Sequence, residues 1–156
     1  MTQLLGAFEL EAAFNKLPKS LAKSTLRAAL KKAAKPVLAD AKADVHKASG
    51  NLRDSLAIGT QLMKSQTGFQ RRVGFPQVFI GARWPQGAHA HLEEFGTVRT
   101  PSHPFMRPAW DRNKDEVRDS LGAEIWRQLA RAAKRLAKRA AKGTLSKTAR
   151  EAVGGF

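Results

Sequence analysis

The chain has 156 residues, with 28 Lys and Arg against 13 Asp and Glu, a formal net charge of +15, and neither Cys nor Tyr. That length suits one domain, the 42% apolar content is enough for one core and argues against a disordered chain, and the missing Cys excludes disulfides, Cys-ligated zinc and a thiol nucleophile. No run approaches the ~18 apolar residues of a membrane span, Glu9 and Glu11 near the start argue against a signal peptide, and the surplus charge points to an anionic partner.

Leu10, Phe14, Leu17 and Leu21 lie on one helical face, and Pro18 predicts that a first short helix ends or kinks there. A second apolar run, Leu26, Leu30, Ala33, Ala34, Val37, Ala41 and Val45, carries Lys23, Arg27, Lys31, Lys35 and Lys42 on its other face. Ser20 is a candidate cap for it. Pro36 either bends this helix or starts a new one, and Ser49-Gly50-Asn51 stops it. Short apolar groups separated by Gly and Ser follow, predicting three antiparallel strands near 52–62, 69–75 and 77–83.

Residues 89–95 read as a short helix stopped by Gly96, and 97–104 as a loop rich in breakers. Pro104 and Pro108 bracket Phe105-Met106-Arg107, and Pro108 suits the first turn of a helix. Trp110, Val117, Leu121, Ile125, Leu129, Ala132 and Leu136 then predict one long helix over 108–141. The whole is a single α+β domain over 1–142: basic N-terminal helices, a small antiparallel sheet of about three to four strands, a short helix and a long C-terminal helix. Residues 143–156 form a tail.

Chemical motifs are few. His89, His91 and Glu93 are the nearest approach to a metal site, but His residues two apart point to different sides of a helix, so neither a metal nor a cofactor is expected. There is no nucleophile elbow and no phosphate loop; of the paired acids, Glu9/Glu11 lies near the terminus, and Glu93 and Glu94 are adjacent and so point to different helix faces. The expectation is a protein that is not an enzyme. The charge concentrates instead on two acid-free runs, 16–35 and 127–150. Arg127, Arg131, Lys134, Arg135, Lys138, Arg139 and Lys142 repeat at three and four and are candidate contacts to an anionic partner. No aromatic interleaves with them to stack on bases, and their alanine-rich neighbours suit helix packing better than a membrane.

Three motifs in order carry a family resemblance: Ser49-Gly50-Asn51-Leu52-Arg53-Asp54-Ser55, then Glu93-Glu94-Phe95-Gly96-Thr97, then Pro104-Phe105-Met106-Arg107-Pro108-Ala109. Over roughly 20–140 the chain resembles the tail-completion or neck proteins of tailed bacteriophages, akin to the lambda minor tail protein Z. The resemblance implies a structural virion protein at the head–tail junction, made in the host cytoplasm. It implies a ring, most simply a hexamer, that completes the tail and meets connector, terminator or tail-tube proteins, with DNA in the lumen as a further contact. Glu93, Glu94, Phe95, Gly96, Thr97, Pro104, Phe105, Arg107 and Pro108 become candidate interface or loop-anchoring residues. Phe95 and Phe105 are expected to anchor the loop in the core, and Arg107 to meet Glu93 or Glu94. The basic helices are expected to dock on neighbouring proteins. The alternative is a basic nucleic-acid-binding module that uses the C-terminal Arg/Lys helix.

Overall fold

The computed structural model describes residues 19–45, 50–62 and 76–143. The helix expected before Pro18, the strand expected at 69–75 and the tail after Gly143 lie outside the described residues. Two helices come first, α1 (Lys19–Ala33) and α2 (Lys35–Asp44). Pro36 sits in the first turn of α2, where a missing N–H costs no hydrogen bond because first-turn donors have no intrahelical acceptor. Pro36 therefore restarts the helix rather than bending it. Ser20 lies inside α1, not ahead of it as a cap.

The first expected strand is shorter than the sequence suggests. Gly50 adopts φ 69° and launches a single helical turn, α3 (Asn51–Ser55), in which the Asp54 N–H donates to the Gly50 carbonyl at 3.0 Å. The Ser55 hydroxyl closes that turn on the Leu52 carbonyl at 2.7 Å. Only then does β1 (Leu56–Gly59) begin, and it pairs antiparallel with β2 (Phe79–Ala82), Leu56 opposite Ala82 and Ile58 opposite Ile80. A two-stranded ladder is marginal alone. This one persists because Leu56, Ile80 and Ala82 pack into the core.

A short helix α4 (Ala90–Phe95) and a long helix α5 (Met106–Ala141) complete the α+β fold. α5 starts two residues before the expected position, for a reason that lies in its capping. The core gathers Val37, Ala41 and Val45 from α2 and its end, Leu56 from β1, and Phe105 and Ala109 from the start of α5. Burying a side chain the size of Phe105 contributes about 1.5–3 kcal/mol. α1 and α2 run antiparallel to α5: Lys32 meets Glu124, and Asp40 meets Asn113. Ala29, Ala41, Ala109 and Ala132 are fully buried along this seam, so small side chains let the helices approach closely.

That seam corrects the expected apolar face of α5. Its buried residues are Ala109, Asn113, Glu124, Gln128, Leu129 and Ala132, while Trp110 stands 49% exposed and Val117, Leu121, Ile125 and Leu136 are half-buried. The polar residues are tolerated inside because each is hydrogen-bonded. Asn113 donates to Asp40 at 2.7 Å and to the Ala109 carbonyl at 2.8 Å. Gln128 donates to Glu124 at 2.8 Å.

Candidate functional site

The loop between α4 and α5 is built around one carboxylate. Glu94, on the last turn of α4, is 6% exposed. Its Oε2 accepts the Phe105 N–H at 2.9 Å and the Met106 N–H at 2.8 Å, and its Oε1 accepts the Arg107 N–H at 3.0 Å. These are the leading amides of a 36-residue helix, which carry no intrahelical acceptor and form the positive end of its dipole. The next residue, Pro108, has no N–H to satisfy. Capping by Glu94 is why the helix begins before Pro108. Arg107 adds its own side chain: Nε donates to Glu94 Oε1 at 3.1 Å and Nη2 to the Glu94 carbonyl at 3.3 Å.

Burial pushes the Glu94 carboxyl up, but the amides of Met106, Phe105 and Arg107, with the Arg107 side chain, outweigh it and hold the group below its ordinary value. Glu94 is therefore ionised at neutral pH with both oxygens committed to donors. This fits a clamp better than an acid or base.

Of the two expected carboxylates, Arg107 meets Glu94. Glu93 contributes its backbone carbonyl, which accepts the His103 N–H at 2.8 Å. Between them the chain is tied to itself: the Thr97 hydroxyl accepts the amides of Arg99 at 3.2 Å and Thr100 at 3.0 Å, and the Thr97 N–H donates to the Thr100 carbonyl at 2.9 Å. Gly96 takes φ 75° after α4, and a Cβ there would stand 2.9 Å from the Ser102 nitrogen and 3.0 Å from the Thr100 oxygen. Only glycine fits that close approach without movement.

The two phenylalanines part company. Phe105 is 2% exposed in the core, but Phe95 is 68% exposed and does not anchor the loop there. Its ring instead lies under the Arg107 guanidinium, 4.7 Å from centroid to Cζ, a cation–π contact at the surface. Phe95 lost the core because the turn of α4 that buries Glu94 aims the adjacent side chain outward. Pro104 is exposed and Pro108 half-buried beside this cluster.

Two further junctions are built from residues outside the expected site, Arg127 excepted. Arg112 bridges Asp40 at 3.4 Å and also pairs with Asp44, holding α2 to α5. Asn113 first, and Arg112 with it, hold the Asp40 carboxyl below its ordinary range against a smaller effect of burial. Glu124 accepts Lys32 Nζ at 3.0 Å and Arg127 Nη1 at 3.1 Å. Hydrogen bonding from Gln128, then from Lys32, lowers its carboxyl despite burial. A sequence signal existed for the first junction: Asp40 and Asp44, one turn apart, are the only acids between residues 12 and 53.

His89 precedes α4 and His91 lies exposed on it. Among the described residues no group of three or more His, Asp or Glu side chains is placed to hold a metal ion. A cavity of about 930 Å³ over the sheet is lined by Gln61, Arg83, Trp84 and His91 with small and apolar side chains, and no carboxylate is among its described lining residues. Of the candidate anionic-partner residues, Arg127 is engaged by Glu124, while Arg131, Lys134, Arg135, Lys138, Arg139 and Lys142 are exposed. No described helix is long and apolar enough to cross a membrane.

A family model described as "Bacteriophage HK97-gp10, putative tail-component" matches residues 8–96, more than half of the chain. The chain belongs to this HK97-gp10-like family. Neither the curated proteins nor the solved structures give a match. The matched stretch of this phage tail-component family takes in α1 through α4 and stops at Gly96. Glu94 and Phe95 therefore fall inside it, whereas their partner Arg107 and the whole of α5 fall outside it.

Proposed function

We propose that this phage tail component works at the head–tail junction, as a ring that completes the tail and joins it to the head connector, in the manner of the lambda minor tail protein Z. Membership of the tail-component family supports a structural role in the virion. The observation that carries the reading further is the Glu94 clamp. A buried carboxylate spent on three helix-start amides and one guanidinium fixes the direction of a long helix against a short one, and a subunit that must repeat identically around an axis needs such a rigid angle. Ring closure then follows from head-to-tail contacts between identical subunits. Phe95 stacked on Arg107, with Val98 and Trp110 exposed nearby in the chain, is the surface assigned to the neighbouring subunit.

Native mass spectrometry of the full chain tests this reading. The expected species is a closed multiple of 17.1 kDa, most simply sixfold, that Phe95→Ala dissociates without lowering the melting temperature. In infected cells, loss of the protein is expected to leave heads and tails unjoined. A monomer at all concentrations, together with normally joined particles in its absence, would refute the proposal.

A further inference from the structure

Among the described elements α1 packs chiefly on α5, and the seam between these two helices has two flanks. Lys32 and Glu124 meet across one flank at 3.0 Å. Helical spacing turns Leu26 and Leu30 on α1, and Ile125, Trp126 and Leu129 on α5, toward the other. Because the helices run antiparallel, Leu26 stands about level with Leu129, and Leu30 with Ile125 and Trp126. Leu26, Leu30 and Ile125 are half-buried and Trp126 is 41% exposed. None of the five belongs to the core around Phe105. An apolar strip therefore runs along one side of the helix pair, and a pair of helices buries only the surface between them.

The sequence supplies an occupant. Residues 8–17, which precede the described residues, carry Leu10, Phe14 and Leu17 at helical spacing. Pro18 disfavours helical backbone at Leu17, so a helix here ends just before α1 begins at Lys19, and a join that short suits two antiparallel helices. A return about Pro18 brings Leu10 level with Leu26, Phe14 with Ala22, and Glu9 with Arg27. Glu9 and Glu11 are the only acids ahead of Asp40, and they flank Leu10 on either side. Lys23 and Arg27, three positions before Leu26 and Leu30, are their neighbours on the helix surface and border the strip. Apolar stripe and charge thus both match. The family match also begins at residue 8, so the segment lies within the shared unit.

We propose that residues 8–17 dock as a helix on the strip of their own chain, over Leu26, Leu30, Ile125 and Leu129, and complete a three-helix layer there. A turn of a few residues holds the segment at an effective concentration of about millimolar, whereas a second copy must be recruited from solution. The proposal needs neither ring formation nor the Glu94 clamp.

The test uses the full-length protein. Leu10→Asp with Phe14→Asp should lower the melting temperature by at least about 4 °C. Ala12→Asp with Asn15→Asp adds the same charge to the opposite face of the segment and should shift it by less than about 1 °C. Equal shifts in the two variants, or no shift in the first, would overturn the proposal. The protein has no Cys, so an introduced pair reports position directly. Ala13→Cys with Ala133→Cys is treated with a thiol cross-linker of about 8–10 Å, the spacing of packed helices. The expected product is an internal link at the 17.1 kDa mass of one chain, lost when Leu10→Asp and Phe14→Asp are added. Linked dimers would mean that the segment of a second copy fills the strip, and no link at all would place the segment elsewhere. Either result overturns docking within the chain.

Discussion

Glu94→Gln isolates the clamp. Gln matches Glu in size but offers one acceptor oxygen where Glu has two. If that oxygen keeps the amides of Phe105 and Met106, the new NH₂ group faces the Arg107 N–H and Nε, two donors that Oε1 accepts in the wild type at 3.0 and 3.1 Å. Losing a charge-assisted pair costs about 1.5–3 kcal/mol, and removing a negative charge from a helix start costs about 0.3–1 kcal/mol more. The sum is about 3 kcal/mol, since Arg107 is 62% exposed and water recovers part of its loss. For a domain of this size that corresponds to a fall of about 6–12 °C in melting temperature.

The pH dependence gives a second handle on the same residue. The folded Glu94 carboxyl titrates below its ordinary 4.5. The unfolded chain therefore binds more protons across that window, and stability rises with pH there. The contribution is complete above the ordinary value and is lost as pH falls through the depressed one. The stability gap between wild type and Glu94→Gln should thus narrow on acidification, as read by urea denaturation at several pH values. A gap under about 0.5 kcal/mol at pH 7, within the range of an ordinary surface substitution, or one that widens in acid, would refute the clamp.

The two positive-φ glycines outside the last turn provide a contrast. Gly96→Ala meets backbone at 2.9 and 3.0 Å, whereas Gly50→Ala meets nothing within 4 Å; the left-handed backbone alone costs about 1–2 kcal/mol, so Gly96→Ala should cost clearly more in denaturant titrations. Thr25 Oγ1 is buried without a hydrogen-bond partner. Thr25→Val keeps the shape and should raise stability by about 1 kcal/mol, visible as a higher urea midpoint at unchanged slope. Glu124→Ala strips Lys32, Arg127 and Gln128 of a shared partner and should cost about 2 kcal/mol. Adding Lys32→Ala should then cost little more, which a double-mutant cycle would register.

Local pattern carried a good deal of this protein. The four-and-three spacing that predicts the long helix, the glycine that stops α4, the prolines around Phe105 and the acid-free basic runs are all properties of a few neighbouring residues, and periodicity reads them directly. The motifs around Gly50 and Glu94 likewise place the chain in a phage tail family without any coordinates. What needed the tertiary structure were choices among equals. Glu93 and Glu94 are chemically identical, and only the arrival of the α5 amides selects one of them. Phe95 and Phe105 are the same residue, and the turn that buries Glu94 sends one out and leaves the other in the core. Asn113, Glu124 and Gln128 interrupt the apolar face of α5, and their burial is legible only once Asp40 and Lys32 are seen across the seam. The charge itself was evident from composition, but which cations are spent inside the fold was not: Lys32 and Arg127 pair with the buried Glu124 only because packing brings the two basic helices together.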